Sequence, residues 1–185
     1  MIIGRVQVKL TAASAAQAPR QANRGRGTPY KLVVLAPDTV GAVSAAGGLV
    51  VDVLRAGWQV EMYLEAESDA RALQILGVDG QILPPSFDFG LQWPDVIVFA
   101  APMYDRHRGV RRLIADATRR HGADVAAWGG TWPTAATSAA DIDHRLSCAA
   151  RAFKYHAMKA VDAAAPPSPV EQFHGGFHRL AVAPG

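Results

Sequence analysis

The chain's organisation is read from one stretch, 31-KLVVLAPDTVGAVSAAGG-48. Its first six residues are almost wholly apolar, as in a strand buried on both faces, which predicts a strand over Lys31–Ala36. Pro37 and Asp38 interrupt the run. Residues 40–56, carrying Val50, Val51, Val53 and Leu54, then predict a helix stopped by Gly57.

The alternation continues along the chain. Gln59–Leu64 predicts a second strand, 67–76 a helix ending at Gly77, and Gln81–Leu83 a short strand before the loop 84-PPSFDFGLQWP-94. Asp95–Ala100 is the clearest buried strand. Gly109–Arg120 predicts a basic amphipathic helix closed by Gly122, and Asp124–Trp128 another strand. A helix is expected over about Ala139–Ala164, broken by 165-APPSP-169, with a last strand over Phe177–Ala183. This order predicts an α/β fold, a three-layer α/β/α sandwich with a mainly parallel, Rossmann-like sheet. Ligands of such sheets sit at the carboxyl ends of the strands, which points to the loops 36–41 and 101–108.

Composition narrows the class. Of 185 residues, 50% are hydrophobic and 19% charged, which suits one globular domain over 30–185. Residues 1–29, rich in Ala, Gln, Arg and Gly, are expected to be a flexible lead-in, with a short strand considered over Ile2–Leu10. Much of the net charge of +3 comes from Arg20, Arg24, Arg26 and the arginines between 106 and 120. Without interleaved aromatics, this bias does not predict a nucleic-acid partner. Cys148 stands alone, so the chain forms no internal disulfide, and no Cys–Cys metal spacing exists. No run approaches the roughly 18 apolar residues of a membrane span, and the lead-in lacks a signal-peptide core. A cytoplasmic protein without a membrane partner is expected.

The motifs exclude two common chemistries. Gly41, Gly47 and Gly48 fit neither the dinucleotide nor the P-loop glycine spacing. A receiver-type phospho-acceptor would need an acidic pair after the first strand and an Asp ending the middle one; Pro37-Asp38 and Ala100-Ala101 stand there. A third pattern fits better. Ala36, Pro37, Gly47 and Gly48 match A-P-H-P-D-D-E-x-x-G-x-G-G without a gap, and 104-YDRH-107 falls where H-x-D-H would follow a buried strand. On these residues the chain resembles the LmbE/PIG-L-like family of zinc-dependent N-acetylglucosamine deacetylases. The resemblance runs through 49-LVVDVLRAGWQVEMYL-64, 70-ARALQILGVDGQIL-83 and, faintly, 154-KYHAMKAVD-162, spanning about residues 31–180.

That resemblance implies a site whose letters differ here. The family's zinc-binding histidine and aspartate fall on Asp38 and Gly41, and its general-base aspartate on Val40. His107 matches a zinc-ligand histidine, and Tyr104 stands where the motif's first histidine would be. A catalytic zinc needs about three protein ligands and an open water position; Asp38 and His107 supply two. Val40 cannot accept a proton from bound water, a step worth roughly 10²–10⁴-fold. The expectation is a diverged member without standard deacetylase activity, a carbohydrate-binding or scaffolding pseudoenzyme with no cofactor. Its pocket candidates are Asp38, Tyr104, Asp105, His107, Trp128 and Trp132, the two tryptophans placed to stack on a sugar face.

Two alternatives stand beside it. One is an atypical zinc-dependent hydrolase using Asp38, His107 and a further carboxylate such as Asp105 or Asp143. The other is a Rossmann-like nucleotide-binding or regulatory module. Against both, Asp38 suits a helix N-cap and His107 a surface position at the start of the 109–120 helix. The groups 141-DIDH-144 and 174-HGGFH-178 read as polar loop residues facing solvent.

Overall fold

Among the described residues the sheet has seven strands in the order β3-β2-β1-β4-β5-β7-β6; β1 (Lys31–Ala36) is the middle of its five parallel strands, and all six of its residues are buried. The computed structural model that gives this arrangement describes residues 28–67, 69–130 and 140–176. β1 pairs in parallel with β2 (Gln59–Leu64) and β4 (Val96–Ala100); β3 (Gly80–Ile82) and β5 (Asp124–Trp128) extend the parallel part on either side. Successive side chains of a strand point to opposite faces. Leu32, Val34 and Ala36 therefore enter one apolar core, and Val33 and Leu35 the other.

The first core is closed by α1 (Thr39–Arg55), α2 (Ala70–Leu76) and α5 (Cys148–Ala160). α3 (Ala101–Arg106) and α4 (Arg108–His121) close the second. Beyond them, the connection from β3 to β4 covers β2 with rings instead of a helix. Phe87 meets Tyr63 edge-on at 5.2 Å, and Phe89 and Trp93 carry the contact to His121, which stacks on Trp93 at 4.1 Å. The three-layer, mainly parallel architecture expected from the sequence is the one observed.

The carboxyl-terminal third differs from expectation. Ala140–Arg145, expected within a helix, is strand β6, and α5 begins only at Cys148 with Ser147 as its cap. The reason is a period of two: Asp141, Asp143 and Arg145 are exposed, while Ile142 and His144 are part-buried and Ile142 packs on the first core. β7 (Val170–Gly175) follows the proline-rich break directly and pairs antiparallel with both β5 and β6. Residues 101–106, expected as a loop, form α3, with Pro102 in the first turn, where no backbone donor is lost. The lead-in to residue 27 with its strand over Ile2–Leu10, the strand expected over Phe177–Ala183, and Trp132 and His178 lie outside the described residues.

A buried ion pair binds β7 to α5, and its glutamate also binds β7 to α1. Glu171 of β7 accepts the N–H groups of Gly48 and Leu49 at 2.7 and 2.8 Å and the Lys154 ammonium of α5 at 2.7 Å. Both side chains of the pair are 1% exposed. Burial pushes the Glu171 carboxyl above the usual carboxylate range, against the pull of Lys154 and the two N–H groups. Gly48 is required beside it, because a Cβ there would collide with the Leu146 side chain.

Candidate functional site

The carboxyl edge of the parallel strands brings three connections together. After β1, Pro37 leads to Asp38, whose extended backbone and side chain cap α1: Oδ1 accepts the Gly41 N–H at 2.7 Å. After β2, the β1–β2 pairing continues past the strand, with the Glu65 N–H donating to Ala36 and the Ala66 N–H to Pro37. Glu65 is thereby set beside the first turn of α1. After β4, α3 ends at His107, an extended residue that breaks α3 from α4.

Glu65 and His107 meet. The His107 Nε2–H donates to Glu65 Oε1 at 2.5 Å, and Arg106 Nη2 donates to both Glu65 oxygens at 2.9 Å. The group is partly open to solvent, with side-chain exposures of 23% for Glu65, 35% for His107 and 52% for Arg106. With Nε2 committed, Nδ1 is the ring atom left for a ligand. Neither Glu65 nor Arg106 was singled out from the sequence. A signal for Glu65 existed: it is the first residue beyond a parallel strand beside β1, where the carboxyl-edge rule applies as well as to the two loops considered.

The other sequence candidates divide between packing and surface. Tyr104 is half-buried, its ring 6.3 Å from that of Phe99 in the second core. Asp105 is exposed; its carbonyl and that of Tyr104 accept Arg111 Nη1, which closes the end of α3. Trp128, at the end of β5, packs edge-on against Phe173 and borders both cores. His144 bonds Asp52 on α1, Asp143 bonds Gln172, and His174 bonds Asp141 across the β6–β7 ribbon. The 141–144 group is thus not a loop: it sews β6 to its neighbours.

On the α1–α2 side of the edge lies an open hollow of about 300 Å³, lined in part by Asp38, Thr39, Val40, Glu67, Asp69 and Asp162. Thr39 Oγ1 accepts the Asp69 N–H and so joins the starts of the two helices. The residues here do not fit a three-ligand zinc site. Asp38 is engaged in its cap, Val40 is apolar and exposed, and a Cβ on Gly41 would crowd Asp38 Oδ1 at 3.2 Å. No group of three or more His, Cys, Asp or Glu suited to a metal occurs among the described residues.

No family model and no curated protein matches the chain. Solved structures do. A deacetylase triple mutant involved in the teicoplanin biosynthetic pathway aligns at 13% identity over 78% of this chain and 97% of its own, with a TM-score of 0.53. A deacetylase–teicoplanin complex aligns at 12% over the same shares, also at 0.53. The antimicrobial reagent A40926 pseudoaglycone deacetylase aligns at 13% over 78% and 96%, at 0.54. At such identities the likeness is one of fold: the chain has the α/β fold of these deacetylases.

Proposed function

We propose that this deacetylase-fold protein has diverged from the zinc-dependent reaction and serves as a binding or scaffolding protein for a carbohydrate or other small molecule. One observation carries the reading. Where the resembling family requires two carboxylates, the first turn of α1 has Val40 and Gly41, and the carboxylate beside them, Asp38, gives one oxygen to the helix cap. A hydrolase at this edge would lack both a complete ligand set and a base for the attacking water. What remains suits recognition: a hollow beside Asp38, and a hydrogen-bonding group of Glu65, Arg106 and His107. The teicoplanin complex of a same-fold deacetylase supports a small-molecule ligand here.

A thermal-shift panel with a hydrolysis assay tests the proposal. N-acetylated glycans are expected to raise the melting temperature without being deacetylated. Stabilisation by nucleotides alone would favour a regulatory nucleotide-binding module. Release of acetate from an N-acetyl sugar, abolished by His107→Ala, would establish the metal-dependent hydrolase instead.

A further inference from the structure

The two sides of the carboxyl edge differ in charge. On the α1–α2 side the hollow is acidic: Glu67 and Asp162 stand with Asp38 and Asp69, of which the last two cap helix starts. On the α3–α4 side, residues 106–112 contain four arginines, Arg106, Arg108, Arg111 and Arg112, with Asp105 and the facing Glu65 as the neighbouring acids. Arg111 is turned onto the α3 carbonyls. Arg106 meets Glu65 through Nη2 alone, so its other donors remain for a ligand. Arg108 and Arg112, one helical turn apart and exposed, have no carboxylate partner among the described residues. Every Asp and Glu side chain of the sequence lies within those residues.

We infer that the ligand of this edge carries an oxyanion, a phosphate or carboxylate, and that Arg106, Arg108 and Arg112 receive it beside His107. The inference rests on the small-molecule reading above and gives it a chemical class. Glu65 acts here as a positioning residue, holding Arg106 and His107 at the rim. A planar guanidinium matches two oxygens of a carboxylate or phosphate at once, whereas a neutral sugar offers these cations no counter-charge. Arg108, Arg111 and Arg112 stand at the end of α4 where a ligand would sit, and Arg119, some 16 Å down the helix by its rise per residue, is remote from it.

Calorimetric titration of the full chain with three probes tests this: N-acetylglucosamine, N-acetylglucosamine 6-phosphate and inorganic phosphate. The sugar phosphate should bind at least about tenfold tighter than the neutral sugar, and Arg106→Gln or Arg108→Gln should remove that advantage. Arg119→Gln should leave it intact, which separates local recognition from overall charge. Equal binding of the neutral sugar and its phosphate overturns the oxyanion inference and leaves the carbohydrate reading standing. Inorganic phosphate binding as tightly as the sugar phosphate, and lost in Arg108→Gln, keeps the oxyanion inference and removes the sugar. Binding of none of the three overturns both.

Discussion

Glu65 and Glu171 each hold a cation from another element, and their settings differ. Glu65, at the carboxyl edge, holds Arg106 and His107 with about a quarter to a half of each side chain open to water. Glu171, in the first core, holds Lys154 with both side chains sealed and two main-chain N–H groups of α1 as further donors. Exposed pairs contribute roughly 0–1 kcal/mol, because water screens the charges and the side chains lose freedom. A buried pair is costly to break, since the remaining charge has no solvent to replace its partner. The edge pair is therefore free to reorganise around a ligand, and the core pair is part of the scaffold.

The sharpest way to break this comparison is to remove one partner in the core. Lys154→Met should destabilise by about 3–5 kcal/mol in chemical denaturation, as Glu171 is left buried without its counter-charge. The double variant Lys154→Met/Glu171→Leu should lie closer to wild type than the single; a double as unstable as the sum would contradict the account. Next, Gly48→Ala should cost about 1–3 kcal/mol, because its methyl group collides with Leu146. Asp38→Ala should cost about 1 kcal/mol, the value of an N-cap, and should leave bound metal unchanged. Glu65→Gln should change stability least, by under about 1 kcal/mol. It should nevertheless weaken binding of an anionic ligand by freeing Arg106 and His107 from their rim positions, a loss seen in titration and absent from the melt.

The comparison also marks what the sequence made legible. Lys31–Ala36 and Asp95–Ala100 announced the central strands because residues buried on both faces leave a continuous apolar run. β6 and β7 escaped because their outward positions are Asp, His, Gln and Arg, which reads as a polar loop or a helix face until the register is known. Asp38 proved to be the cap that its place before the helix allowed. Gly48 has a use no motif states: it lets α1 approach Leu146 and present N–H groups to Glu171, 123 residues away. The Glu65–His107 contact was equally hidden, joining residues 42 apart that only the β2–β1–β4 order brings to one edge.

The central claim is that the opening motif is kept as scaffold while its metal chemistry has been lost. Counting zinc retained by the purified chain after dialysis against zinc-containing and then zinc-free buffer tests it most directly. The account predicts far less than one zinc per chain, with no change on Asp38→Ala or His107→Ala. One tightly held zinc per chain, lost in either variant, would contradict it.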